Sequence, residues 1–109
     1  MTTQWEEICK LNDLVPGTGV CALHNGEQVA LFRPANDSQV YAISNYDPIG
    51  KANVLSRGIT GDIKGKLVVA SPLYKQHFEL TSGECLEEPE IKLATYQVKV
   101  EGDKVLLAV

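Results

Sequence analysis

Residues 69–80 read Val69-Ala70-Ser71-Pro72-Leu73-Tyr74-Lys75-Gln76-His77-Phe78-Glu79-Leu80, a polar loop enclosed by two apolar segments. The apolar run at residues 67–70 is long enough for a buried strand and too short for a helix. Residues 77–80 alternate between polar and apolar side chains, which is the period of a strand with one buried face. The segment therefore predicts two β-strands joined by an exposed loop.

A second loop, Asn45-Tyr46-Asp47-Pro48-Ile49-Gly50, follows a predicted strand at residues 39–43, which the turn-forming residues 36–38 introduce. We expect Asp47 to cap this loop through an Asx-type hydrogen bond and Pro48 to fix the turn. Residues 49–71 contain four glycines, so we predict mostly loop there, with one short strand near Val54. Long loops in compact domains are usually functional or left from a former function.

The rest of the chain also reads as β-structure. Asn25-Gly26 separates apolar runs at residues 20–24 and 27–32, and this dipeptide is typical of a hairpin because both turn residues need positive φ. Residues 96–101 alternate with period two, and a turn leads into a last strand at residues 105–109. A single helical turn is predicted at residues 12–15. The pattern predicts an all-β, antiparallel sandwich or small barrel, in one domain spanning residues 1–109.

The charge balance excludes some partners. The 109 residues carry 10 Lys and Arg against 14 Asp and Glu, a net charge of −4. No basic stripe is available to bind nucleic acid or an anionic membrane surface. No apolar run approaches the roughly 20 residues of a membrane helix, and no signal peptide is visible at the N-terminus. We therefore expect a cytoplasmic protein.

Cys9, Cys21 and Cys85 form an odd set, which predicts free thiols in a reducing compartment, in the core or at its edge. Cys21 and His24 have a Cys-x-x-His spacing, but a metal site needs a second ligand pair converging from elsewhere. Within a strand these two side chains should point to opposite faces. We expect Cys21 in the core and His24 at the edge of the hairpin.

Catalysis by this chain has little support. Ser71 or Tyr74 could pair with His77, but a nucleophile needs a base within hydrogen-bond reach and a group that orients the base. Six residues of extended chain separate Ser71 from His77. The glycines at 58, 61 and 65 lack the spacing of a phosphate-binding loop, so flavin or nicotinamide binding is not indicated. The tip formed by Lys75, Gln76 and His77 is either a solvated loop or a docking surface for a partner.

The two loops resemble the cluster-binding loops of Rieske domains, Cys-Pro-His-x-Gly and Cys-Pro-Leu-His-x-x-x-Phe. In this chain Asp47 and Ser71 stand at the cysteine positions, and Ile49 and Tyr74 at the histidine positions. A Rieske centre is held by two thiolates and two imidazoles, so all four ligands are substituted. Asp47 and Ser71 are also too few oxygen ligands for magnesium or calcium. The resemblance implies a Rieske-type, ferredoxin-like fold without the [2Fe–2S] cluster, with Ile49 and Tyr74 filling its volume.

Over nearly its whole length the chain also resembles the small subunits of bacterial NADH-dependent nitrite reductases of the assimilatory, sirohaem type. Residues 69–80 are the most specific part, and residues 5–17, 40–45, 54–58 and 83–86 extend the likeness. The resemblance implies a large partner subunit that carries FAD, a [4Fe–4S] cluster and sirohaem and reduces nitrite to ammonium. This chain would then hold no cofactor of its own.

Three functions stay open on the sequence alone. The chain could be a non-redox accessory subunit that acts by contact, and Lys75 would then belong to the docking loop. It could be an electron carrier with a non-standard [2Fe–2S] site built from its three cysteines. It could also bind a small molecule or anion in the former cluster pocket, although the carboxyl group of Asp47 disfavours nitrite by charge repulsion.

Overall fold

The fold is known from a computed structural model that describes residues 4–34, 39–73 and 75–108. The predicted turn at residues 36–38 and the position of Tyr74 lie outside these ranges. Short 3₁₀-helices occupy Leu11–Asp13 and Leu55–Arg57. The strands in the described ranges are β1 (Trp5–Lys10), β2 (Gly19–His24), β3 (Glu27–Phe32), β4 (Tyr41–Ser44), β5 (Tyr46–Asp47), β6 (Ala52–Asn53), β7 (Ile59–Ile63), β8 (Lys66–Ala70), β9 (His77–Glu79), β10 (Thr95–Tyr96), β11 (Val98–Glu101) and β12 (Lys104–Ala108).

The middle layer is a four-stranded sheet in the order β10-β4-β3-β2. Its β2–β3 hairpin turns at Asn25 and Gly26, whose φ angles are 51° and 79°, so the predicted hairpin is confirmed. Strand β3 is buried on both faces from Val29 to Phe32. This explains why β3 reads as a continuous apolar run rather than an alternating one.

The two outer layers each cover one face of this sheet. Val29 and Leu31 face the three-stranded sheet β1-β12-β11, where they pack with Val105 and Leu107. The opposite face meets the sheet β7-β8-β9, and its cluster consists of Ala30, Phe32, Ile43, Leu55, Val69, Phe78, Leu80, Cys85 and Leu93. All strand pairings within the described residues are antiparallel. The predicted all-β fold class is confirmed.

The prediction that residues 49–71 are mostly loop was wrong for residues 59–63, which form strand β7. Strand β7 forms a five-residue ladder with β8, from Ile59 opposite Ala70 to Ile63 opposite Lys66. The short strand expected near Val54 is β6, which ends one residue earlier. The β7–β8 turn has Lys64 at φ 52° and Gly65 at φ 84°, the same geometry as Asn25-Gly26. Lysine rarely takes the first position of this turn, so Lys64-Gly65 is not recognisable from sequence as a hairpin turn.

The layers place the two loops of interest at one end of the outer sheet. The first loop lies between β5 and β6, which pair only through Tyr46 with Asn53 and Asp47 with Ala52. The second loop joins β8 to β9. The two helical segments of the described ranges have three residues each, far fewer than a membrane-spanning helix needs.

Candidate functional site: the paired loops

Asp47 organises the first loop from a fully buried position. Its Oδ1 accepts hydrogen bonds from the backbone N–H of Ile49 at 2.9 Å and of Gly50 at 3.0 Å. Its backbone carbonyl accepts a further bond from the Lys51 N–H at 2.7 Å. The predicted Asx-type turn is therefore present, and Asp47 leaves no buried backbone N–H of this turn unpaired.

Ser71 connects the second loop to the first. Its hydroxyl, which is 1% exposed, donates a 2.5 Å hydrogen bond to Asp47 Oδ2 and accepts a 3.3 Å bond from the Leu73 N–H. The Ser71 backbone closes its own loop by donating to the Gln76 carbonyl at 2.9 Å. The two positions that correspond to Rieske cysteines are therefore bonded directly to each other.

Apolar contacts support this polar link. Ile49 is half-buried and packs against the core cluster on the β7-β8-β9 side. Gly50 lies under the side chain of Leu73, and a Cβ at Gly50 would collide with the end of that side chain, so a larger residue there would require Leu73 to move. Tyr74, expected to fill the remaining volume, lies outside the described residues.

Asn45 anchors the base of the first loop, a role that the sequence did not predict. Its side chain is 1% exposed. Its Oδ1 accepts from the Ser56 N–H at 2.7 Å, and its Nδ2 donates to Gln28 Oε1 at 3.0 Å and to Cys21 Sγ at 3.5 Å. A buried asparagine with bonds on both ends of its amide fixes the segments around it. An asparagine beside a strand end was the only hint in the sequence.

The residues at the loops do not fit a [2Fe–2S] cluster. The cluster needs thiolate and imidazole ligands. Asp47 offers a carboxyl group whose two oxygens already accept three hydrogen bonds, Ser71 offers a hydroxyl, and Ile49 has no donor atom. No group of three or more His, Cys, Asp or Glu side chains converges within the described parts of the chain.

The prediction that Cys21 lies in the core was wrong, whereas His24 does lie at the turn end of the β2–β3 hairpin, as expected. They do point to opposite faces of β2, but Cys21 is exposed and His24 is buried, with 3% exposure. The ring nitrogens of His24 lie 2.8 Å from Glu6 Oε1 and 3.1 Å from the Ala108 carbonyl oxygen, and its ring meets Tyr96 edge-on. His24 therefore joins β2 to both terminal strands and is not a free ligand.

The side chains considered for catalysis have separate partners. Ser71 is bonded to Asp47, whereas His77 donates from its Nδ1 to Glu87 Oε2 at 2.7 Å and from its backbone N–H to Glu87 Oε1 at 2.8 Å. Burial raises the pKa of Glu87, the hydrogen bonds from His77 lower it, and the net shift is downward. Within the described residues, Ser71 and His77 are therefore not paired with each other, and the expected requirement for a nucleophile next to an oriented histidine base is not met.

The expected docking residues differ in their surroundings. Lys75 is exposed and has a left-handed backbone, with φ 63°. Gln76 and His77 are half-buried. The His77 side chain is held by Glu87, so Lys75 is the member of the three that projects most freely.

Comparisons with known proteins identify the family of this chain. The family described as Rieske-like [2Fe-2S] domain matches residues 4–108. The nitrite reductase (NADH) small subunit of Salmonella typhimurium is 51% identical over 105 residues, which cover 96% of this chain and 97% of that protein. The solution structure of the nitrite reductase [NAD(P)H] small subunit from Erwinia carotovora has a TM-score of 0.85 and 52% identity, and covers 99% of this chain and 83% of that one.

A longer relative contains a similar segment. The nitrite reductase [NAD(P)H] large subunit of Klebsiella oxytoca is 43% identical over 101 residues, which are 93% of this chain but 10% of that protein. The match to the small subunit covers nearly all of both proteins, whereas the match to this large subunit covers only a tenth of that protein. Since the family match spans almost every residue and the identity to these relatives is near one half, the chain belongs to the Rieske-like domain family and, within it, to the small subunits of NADH-dependent nitrite reductase.

Proposed function

We propose that this chain is an accessory subunit of a cytoplasmic NADH-dependent nitrite reductase and carries no redox centre of its own. The observation that supports this most directly is the bond between Asp47 and Ser71. The atoms that would hold metal in a Rieske domain are engaged with each other and with the backbone. The chain would act by contact with the large subunit.

Two further observations support the partner and the compartment. The Klebsiella oxytoca large subunit carries a segment similar to this chain within one polypeptide. A domain that occurs both fused to an enzyme and separate from it is expected to work beside that enzyme in both arrangements. Cys9, Cys21 and Cys85 are free thiols and Cys21 is exposed, which suits a reducing compartment.

The chemistry would then belong to the partner. The family resemblance implies that the large subunit carries FAD, a [4Fe–4S] cluster and sirohaem, and that it passes electrons from NADH to nitrite, with ammonium as the product. In this proposal the present chain stabilises, assembles or completes the active form of that subunit, and its folded loop pair gives it a fixed surface for that purpose.

The proposal is tested by producing the large subunit with and without this chain. We expect the chain to co-purify with the large subunit, and nitrite-dependent NADH oxidation or the soluble yield of the large subunit to fall when the chain is left out. Unchanged turnover and yield, with no co-purification, would contradict an accessory role.

A matched variant separates contact from electron transfer. An electron carrier built from this chain needs thiolates, so Cys21→Ser, at an exposed position, would damage it with little effect on folding. We expect the Cys21→Ser chain, and the chain that also carries Cys9→Ser, to support wild-type nitrite turnover. Loss of turnover in a complex that still assembles would favour the electron carrier.

A further inference from the structure

A surface cleft lies beside the second loop, at the end of strand β7. It has a volume of about 280 Å³ and is lined by Arg57, Gly58, Ile59, Ala70, Ser71, Pro72 and Lys75. This is below the roughly 300–1,000 Å³ of typical small-molecule sites, and it suits one or two side chains of another protein better than a cofactor.

The cleft is positive in an acidic chain. Arg57 and Lys75 line it, and no acidic residue does, although the chain has a net charge of −4. Both cations are exposed, and neither forms an ion pair with a carboxylate of the described residues. Two cations at one cleft, neither paired with a described carboxylate, favour a negatively charged occupant.

The wall of the cleft is apolar and exposed. Ile59 has 76% of its surface exposed, the largest fraction among the exposed large hydrophobic residues of the described chain. Pro72 is exposed beside it. Ile59 and Pro72 together form an exposed apolar surface next to two basic side chains, which a partner that offers an apolar side chain and a carboxylate can complement.

We propose that this cleft receives an acidic segment of the nitrite reductase large subunit, with an apolar side chain against Ile59 and Pro72 and a carboxylate between Arg57 and Lys75. This rests on the proposed function, which supplies the partner. From the sequence, the docking surface is expected at Lys75, Gln76 and His77. The cleft shares Lys75 with that surface, and Arg57 and Ile59 also line it. His77 does not line the cleft, and its side chain is bonded to Glu87.

The chain offers a matched pair of variants for the test. Lys64 and Lys75 are both exposed, and both have left-handed backbones, at φ 52° and 63°. Glycine removes one charge and relieves the same backbone strain at either position. Lys64 lies in the far turn of the β7–β8 hairpin, one residue beyond Ile63, and Ile63 is four residues, or about 13 Å, along the ladder from the pair Ile59 and Ala70.

The experiment measures the affinity of the purified chain for the large subunit by calorimetric titration. We expect Lys75→Gly and Ile59→Ser each to weaken binding by about tenfold or more, and Lys64→Gly to bind within about twofold of the wild type. A zero-length carbodiimide, which couples an amine to a carboxylate in contact with it, should join Lys75 and not Lys64 to an acidic residue of the large subunit.

The outcomes separate this inference from the proposed function. If the wild type binds and Lys75→Gly and Ile59→Ser bind equally well, the cleft is not the interface, while the accessory role stands. If the wild type does not bind, the accessory role and the interface both fail. A dimer of the chain alone that Ile59→Ser dissociates, or saturable binding of sodium acetate or nitrite at the cleft, would also overturn the proposal by showing a different occupant.

Discussion

Ser71 Oγ donates a hydrogen bond of 2.5 Å to Asp47 Oδ2, across 24 residues of sequence. Both side chains are buried, and the bond joins two loops that in a Rieske domain are joined through metal. The other carboxyl oxygen of Asp47 holds two backbone N–H groups of its own loop. The loop pair is therefore held by hydrogen bonds that the chain itself supplies.

The first prediction concerns this bond. Asp47→Ala and Ser71→Ala should each lower the free energy of unfolding by about 1–3 kcal/mol, because each leaves a buried polar group without its partner. The double variant should lose less than the sum, with a coupling energy of about 0.5–3 kcal/mol. Urea denaturation measures all four proteins. Ser44→Ala is the control, since the bond that the Ser44 hydroxyl accepts from the Tyr46 N–H is exposed. Strict additivity of the two losses would contradict the link.

His24 should matter for stability although no function is assigned to it. His24→Ala removes the contacts to Glu6 and to the Ala108 carbonyl that tie β2 to the terminal strands. We expect a loss of about 1–3 kcal/mol in urea denaturation, because the buried His24 ring is removed and the Glu6 carboxyl group and the Ala108 carbonyl lose this hydrogen-bond partner. Glu6→Gln keeps a hydrogen-bonding side chain of the same size at a half-exposed position and should cost less. Equal stability of His24→Ala and the wild type would contradict the assignment.

Glu87 should contribute stability that depends on pH. Its pKa is lowered in the folded chain from the usual 4.5, since the hydrogen bonds from His77 outweigh burial. The unfolded chain therefore binds more protons in that range, and the contribution is present above about pH 4.5 and lost as pH falls through the folded pKa. The urea midpoint should fall less between about pH 6 and about pH 3 in Glu87→Gln than in the wild type. The difference should be small because the side chain is 45% exposed.

The three thiols should react at very different rates. Cys21 is exposed, Cys9 is half-buried, and Cys85 is buried, and burial raises the pKa of both Cys9 and Cys85. A chromogenic disulfide reagent at neutral pH should therefore modify a single thiol rapidly, and Cys85 only after the chain opens. Cys21→Ser should remove the rapid phase. Rapid reaction of Cys85 in the folded chain would contradict the packing described for the core.

The sequence was a good guide where the deciding signal was local. The β2–β3 hairpin followed from Asn25-Gly26, and the turn at Asp47 followed from an aspartate before proline. Strand β7 was missed because Lys64-Gly65 is a poor turn signal and Gly61 weakens the strand pattern. Strand β1 was not predicted, and the bulge between Glu7 and Cys9 interrupts its alternation.

Longer-range relationships could not be predicted. Period two fixes that Cys21 and His24 lie on opposite faces, but not which face meets the core. That choice depends on Glu6 and Ala108, which lie 18 and 84 residues from His24. The bond between Ser71 and Asp47 likewise requires the folded sheets to bring two loops together. The cleft at Ile59 was missed for the same reason as β7, because residues 49–71 were taken to be mostly loop.

The central claim is that this chain works without a cluster. Anaerobic incubation of the purified chain with iron and sulfide, followed by desalting, iron analysis and electron paramagnetic resonance of the reduced sample, tests it directly. We predict iron far below one atom per chain and no cluster signal, because Asp47, Ile49 and Ser71 supply neither thiolate nor imidazole. A coloured protein that retains two irons per chain and gives a [2Fe–2S] signal on reduction would contradict the account.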